Sequence, residues 1–544
     1  MKLQKSALAA ALALSLLPCC AASAASPASN SAVTNATAVT YTGTEIQFSD
    51  SGITSAASDG VEIDGTALTI KESGTYLLSG TCADGSIKVK KGTTGVTLVL
   101  NGLTLTSETT APIICAKSTE VSIVAAANTE NTLTDTENNN ADDGGAEAEN
   151  AVIKCKDGSA VTLCGTGTLN VIANGKNGIK SGASTESEGD ASLTIRELTL
   201  NITAPVNDAV NAEAALNVES GTLTIAAGDD ALHCDNAMNI GAESTAGPSI
   251  TITTCNEGLE GAAVNIYSGD VSIAATDDCI NAANPSLSGY SDTLNISGGT
   301  IVAYTTSGDG FDSNGDITIS GGTVAVWTAN AADNSPLDAD GTVTISGGTV
   351  LAAGGSGGMG MNLSAQQPCV TFGSTGGMMG GKGSRMSGQR QPPDMQNFEK
   401  PDFEGQDFEK PDTQNMPGQD FGGFGGAASL MAENTAFSIL DAQGNTLYSG
   451  TARCGTSFLL FSSPELSEGD SCTLSADGTD TTADVQTGTI SSGMGGMGFH
   501  GGSRPGNGNF GNGNFPGGMG GQRPDWNFDS NGNGGKSTEA AQSK

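Results

Sequence analysis

Between Asp208 and Asp338 the chain places carboxylates at a recurring station. Asp208, Asp230, Glu257, Asp278 and Asp309 each stand two residues before a large apolar residue, namely Val210, Leu232, Leu259, Ile280 and Phe311. Asn177 and Ser335 hold the same station at the two ends. Asp229 and Asp277 double the charge beside it, and Asp312 and Asp338 follow one residue after the apolar position, where Asn211 and Asn281 stand in other repeats. Stacked about 4.8 Å apart, like charges repel by on the order of 1 kcal/mol per neighbour even at the dielectric of water. Lys or Arg would offset this, yet Arg196 is the only such residue between Gly189 and Pro368. A hard cation is the remaining answer, because carboxylates, Asn side chains and loop carbonyls form the ligand set of calcium. The expected metal ligands are Asp208, Asn211, Asp229, Asp230, Asp277, Asp278, Asn281, Asp309, Asp312 and Asp338, with calcium as cofactor. The competing reading, solvated acids repelling weakly in salt, does not explain why the acids keep register with an apolar column. No D-x-D-x-D-G loop or glycine-rich nonapeptide array adds to the signal.

The elements that must carry this station are short strands. Trios of large apolar, mostly polar and small residues recur at Ile87-Lys88-Val89, Ile113-Ile114-Cys115, Ile153-Lys154-Cys155, Ile179-Lys180-Ser181 and Val210-Asn211-Ala212. They continue at Leu232-His233-Cys234, Leu259-Glu260-Gly261, Ile280-Asn281-Ala282, Phe311-Asp312-Ser313 and Leu337-Asp338-Ala339. Each alternates with period two, first and third residues inward. A turn and a second strand follow, then Gly298-Gly299, Gly321-Gly322 or Gly347-Gly348 turns the corner into a third strand. Three short strands per repeat cannot bury their apolar sides alone, so successive repeats must stack. The expected fold is all-β, a right-handed parallel β-helix of about ten rungs, with a small C-terminal β segment and Gly-rich tracts outside any core. Cys115, Cys155 and Cys234 fill the small inward slot as buried hydrophobes, and Cys115 and Cys155 on successive rungs offer a disulfide with demanding geometry.

Composition bounds the partners. Against 59 Asp and Glu there are 22 Lys and Arg, a net charge of −37, which makes nucleic acid and anionic membrane poor partners on electrostatic grounds and divalent cations good ones. The start, Met1-Lys2-Leu3-Gln4-Lys5 with an apolar run to Leu17 and Ala22-Ser23-Ala24, reads as a signal peptide, so the protein is expected outside the cell or on its surface. Cys19 and Cys20 offer a lipoprotein alternative, against which Pro18 counts. No later segment is long and apolar enough to span a membrane. The organisation expected is a signal peptide over 1–24, a linker or cap over 25–65, the β-helix over 66–372, a low-complexity insert over 373–427, a small β segment over 428–492 and a Gly/Asn-rich tail over 493–544.

The phrases Ser307-Gly308-Asp309-Gly310-Phe311-Asp312-Ser313-Asn314-Gly315 and Ile319-Ser320-Gly321-Gly322-Thr323-Val324 resemble the exported clostridial carbohydrate-binding β-helix family, over roughly Thr66 to Leu363 and a segment near Phe437 to Leu474. The resemblance implies a pectate-lyase-like fold and calcium-dependent binding of cellulose-like or acidic pectic polysaccharide, with association to the cell wall. The chain departs from the family pattern at Glu257-Gly258-Leu259 and Asn334-Ser335-Pro336-Leu337, where the usual Asp is missing.

A lyase on such a frame needs a basic residue beside the metal and the substrate's acidic proton. The acid column lacks one; Lys154, Lys176, Lys180 and His233 read as outward solvated residues. Binding therefore ranks above a lyase or glycoside hydrolase, and above a passive adhesin or scaffold. Tyr304 and Trp327, aligned on successive third strands and facing away from the core, form the expected sugar-stacking platform.

Overall fold

The computed structural model describes residues 40–492 apart from 57–58, 143, 285–291, 330–333, 356–360 and 374–428. The signal peptide with Cys19 and Cys20, the first part of the linker, all but the first residue of the low-complexity insert, and the tail lie outside the described residues. Among the described residues every regular element is a strand.

The alternation of the trios produces a ladder of parallel strands. Ala67–Ile70, Ser86–Val89, Ile113–Cys115, Ala151–Cys155, Asn177–Ser181 and Val210–Ala212 pair in order. The starts of Leu232–Ile240 and Leu259–Ile266 follow, then Ile280–Ala282 and Phe311–Ser313. Leu337 extends the row by a single bridge to Phe311. The trios thus sit residue on residue, one additional strand, Ala67–Ile70, preceding the first.

A second parallel ladder runs from Thr44–Ser49 through strands such as Ser192–Ile195, Thr293–Ile296 and Asp316–Ile319 to Met361–Gly373. A third runs through Glu130–Asp135, Thr168–Ile172, Thr199–Ala204, Thr300–Thr305 and Thr323–Thr328 to Thr349–Gly354. The inward residues of all three ladders form one hydrophobic cluster, in which Ile87, Ile113, Ile153 and Ile179 follow one another down a single column. Each such side chain contributes roughly 1.5–3 kcal/mol by leaving water.

The two glycines of each corner pair answer different needs. Gly299, Gly322 and Gly348 have φ of 86°, 83° and 82°, a left-handed backbone that favours glycine. Gly298, Gly321 and Gly347 do not; a Cβ there would lie 2.2 Å from the carbonyl oxygen of Tyr267, Ser297 and Ser320 on the preceding repeat. The first glycine is required by the close stacking of successive turns, the second by the turn itself.

The cysteines in the small inward slot are buried, and Cys115 and Cys155 are in register as unbonded thiols. Beyond the third ladder, Phe458–Ser462 pairs antiparallel with both Thr349–Gly354 and Met361–Gly373. A four-stranded antiparallel sheet, Thr446–Thr451, Ala436–Leu440, Ser471–Ala476 and Thr479–Asp484, packs a second core around Trp327, Phe437 and Phe461. The open edge of the third ladder is thereby covered.

Candidate metal centre and outward row

The acid station lies at the corner that enters the first ladder. Stacking is visible in the backbone, where the N–H of Ala209, Ala231, Gly258, Cys279 and Gly310 donates to the carbonyl of Asp230, Glu257, Asp278, Asp309 and Ser335. Side chains follow the same step: Asp208 Oδ1 accepts from the N–H of Asp230 at 3.3 Å, Asp278 Oδ1 from Asp309 at 2.6 Å, and Asp309 Oδ1 from Ser335. Every carboxylate so placed is tied to the next repeat and drawn out of water. Burial pushes Asp208 and Asp278 up to about 6, Asp309 to about 7 and Glu257 to about 8, and neighbouring acids add to each shift.

The middle residues of the trios run beside this station as one outward row: Lys154, Lys180, Asn211, His233, Glu260, Asn281 and Asp312, with Asp338 beyond. The row changes character at His233. Its ring meets Asp230 at 3.4 Å through Nδ1, Asp235 at 2.9 Å through Nε2, and Glu260 through Nδ1. Burial opposes its charge, yet hydrogen bonds to Asp230, Asp235 and Glu260 push its pKa up to about 12. Burial likewise works against the charge of Glu260, but the hydrogen bond to His233 holds its pKa below the ordinary value. His233 is therefore not the solvated surface residue expected from its slot; its ring is set among Asp230, Asp235 and Glu260, which favour its protonated form, where the sequence offered only Arg196. Asp230 and Asp235 lie close to His233 in sequence, but Glu260, which completes the cluster, comes from the next repeat, and that contact carried no sequence signal. Asp208 has its own partner, Asn211 Nδ2 at 2.6 Å.

Downstream of Glu260 no such cation stands among the described residues. Carboxylate oxygens of Asp309, Asp312 and Asp338 lie within 4.8 Å of one another. Burial first, and Asp338 second, push Asp312 up to about 6. Asp277 and Asp278 stand on the same side: a Cβ on Gly308 would fall 2.4 Å from Oδ1 of each, so glycine there leaves the space these carboxylates occupy. Asn281 donates to Glu257 at 3.0 Å, while its buried Oδ1 has no hydrogen-bond partner. An orphaned carbonyl oxygen beside unneutralised carboxylates fits a hard cation, for which oxygen is the only ligand atom required. The expected ligands thus divide into two groups. Asp208, Asn211 and Asp230 sit with His233 upstream, and Asp229 beside them is half-buried and raised by burial. Asp277, Asp278, Asn281, Asp309, Asp312 and Asp338 form the downstream group.

Tyr304 and Trp327 pair in register on the outer side of the third ladder, as their alignment indicates. The ring of Trp327 is not open to a ligand, however. It is 3% exposed, with Phe437 edge-on at 5.9 Å, and Tyr304 packs partly against the same second core. The C-terminal sheet covers the platform because its apolar face needs a partner, and the outward aromatics supply one.

A family model described as carbohydrate-binding domain-containing protein matches residues 64–358. A protein of that description from Acetivibrio thermocellus is 34% identical over 136 residues, 25% of this chain and 47% of the relative, so the chain spans about half the length of the curated relative it matches. Among solved structures, the polysaccharide lyase-like protein from C. thermocellum, in a gadolinium derivative, is 25% identical, with 57% of this chain and 94% of that chain covered at a TM-score of 0.29. At that score the likeness carries no argument about the site.

Proposed function

The chain belongs to the carbohydrate-binding domain-containing protein family, and from that premise we propose that it is an exported, calcium-binding, non-catalytic protein that holds polysaccharide along its outward row. The observation that carries the reading is the downstream acid group, where Asp309, Asp312 and Asp338 converge with no basic side chain paired to them among the described residues and Asn281 Oδ1 lacks a hydrogen-bond partner. Calcium held there would be liganded by Asp309, Asp312, Asp338 and Asn281 with Asp278 nearby, and would supply a positive centre for sugar oxygens. We read the three ladders as the walls of a right-handed parallel β-helix, a reading supported by the single core their inward residues share.

The polysaccharide proposed is cellulose-like or acidic and pectic, met at a cell wall; nucleic acid is not a proposed partner of a chain with net charge −37. The non-catalytic reading is supported by the engagement of three of the four bases nearest the row, Lys154 being the exception. Lys180 faces Glu213 at 3.5 Å, Lys176 is bonded to Asp142, and His233 is held by three carboxylates. The test is metal analysis of purified protein together with glycan binding in calcium and in chelator. Bound calcium and chelator-sensitive retention of polysaccharide are expected; calcium-free protein with glycan binding unchanged by chelator would remove the metal from the function.

A further inference from the structure

Upstream of Asn211 the outward row holds Lys180 and Lys154, then Ile114 and Lys88. Lys180 and Lys154 are direct register partners on adjacent strands, with Ile114 next in line. Like charges one strand apart cost free energy by the same arithmetic as the acids. Nearby carboxylates are engaged elsewhere: Glu149 bonds Lys156 at 2.6 Å, and Glu213 faces Lys180 at 3.5 Å. Lys154 is half-buried and, among the described residues, makes no ion pair. Burial first and Lys180 second push its pKa down. Each carboxylate near Lys154 is thus paired with another ammonium, Glu149 with Lys156, Glu213 with Lys180 and Asp157 with Lys117, which leaves Lys154 without one of its own.

A cation withdrawn from water beside another cation is complementary to an anion, since buried charge is stable only when paired. We propose that Lys154 and Lys180 form a subsite that grips a carboxylate group of an acidic polysaccharide directly, without metal. Asn211, next along the row, uses one amide hydrogen on Asp208 and has a second hydrogen for a sugar hydroxyl. From Lys180 to Asp312 the row advances five strands, about 24 Å, so one polymer chain lying along it meets the lysines at one end and the acid group at the other. This inference rests on the carbohydrate-binding reading.

The test is calorimetry of the full chain with a galacturonic acid oligomer and a neutral cello-oligosaccharide, each in calcium and in chelator. In chelator the parent retains binding of the acidic oligomer, Lys154→Gln and Lys180→Gln weaken it about tenfold or more, and Lys154→Arg keeps it. Binding of the neutral oligomer is the same in all four proteins. If the parent loses all acidic-oligomer binding in chelator, or if Lys154→Gln and Lys180→Gln bind as the parent does, the subsite is refuted while calcium-dependent binding stands. If neither oligomer binds in calcium or chelator, the carbohydrate-binding reading fails and the subsite with it.

Discussion

Asp309→Asn removes one charge from the centre of the downstream acid group and leaves its geometry in place. The Asn carbonyl can still accept from the N–H of Ser335, so the hydrogen bond that ties the two repeats is kept. Burial and the acids around it raise the Asp309 pKa from 3.8 to about 7. A carboxyl whose folded pKa is raised contributes stability that is full below its unfolded value and lost as pH rises through the folded one. The interval corresponds to about 4 kcal/mol at pH 8, and solvent access to the side chain cuts this to about 2 kcal/mol. In chelator at pH 8 the Asn protein is therefore expected to melt about 2–3 °C above the parent, with the difference vanishing near pH 4. In saturating calcium the order reverses, because the parent gains from a ligand that binds only the folded state and the variant has lost a ligating group. Scanning calorimetry at the two pH values, with and without calcium, reads both effects. A variant that melts lower than the parent by the same amount in chelator and in calcium would refute the reasoning, since Asp309 would then be a structural acceptor and nothing more.

His233→Ala leaves Asp230 and Glu260 without their cation and is expected to cost about 3–5 kcal/mol in denaturant melts, independently of calcium. Trp327→Ala, which empties a buried site against Phe437, is expected to cost about 3–5 kcal/mol while the folded fraction binds polysaccharide as the parent does. Incubation with polygalacturonate is expected to give no rise in unsaturated product absorbance; a rise that disappears in Lys180→Ala would establish a lyase.

The trios were legible because a strand's period of two is short and each repeat restates it, so that ten imperfect copies from Ile87 to Ala339 align without any knowledge of turns. The acid station was legible for the same reason, its two-residue offset from Val210, Leu232 and Phe311 being local. What escaped was whatever depended on a neighbour in the next repeat or beyond. His233 reads as solvated until Glu260 is placed beside it, and Trp327 reads as exposed until Phe437, more than a hundred residues later, is folded against it. Gly298, Gly321 and Gly347 read as turn formers, whereas the preceding turn's carbonyl oxygen decides their identity. Alternation gives the direction in which a side chain points, and long-range packing decides what it meets there.

Phe458–Ser462 closes the edges of Thr349–Gly354 and Met361–Gly373 from far along the chain, Val350 pairing with Ser462 and Cys369 with the same residue. Parallel ladders grow repeat by repeat from contacts close in sequence, so most of the molecule can assemble in the order in which it is made. Its last rung cannot. Between synthesis of Gly354 and arrival of Phe458 the third ladder ends in unpaired backbone donors and acceptors flanked by apolar Leu351, Ala353 and Trp327, a ready template for another chain. Truncation before Phe458 would hold the protein permanently in that exposed interval, and its consequence would be self-association rather than a shorter soluble protein.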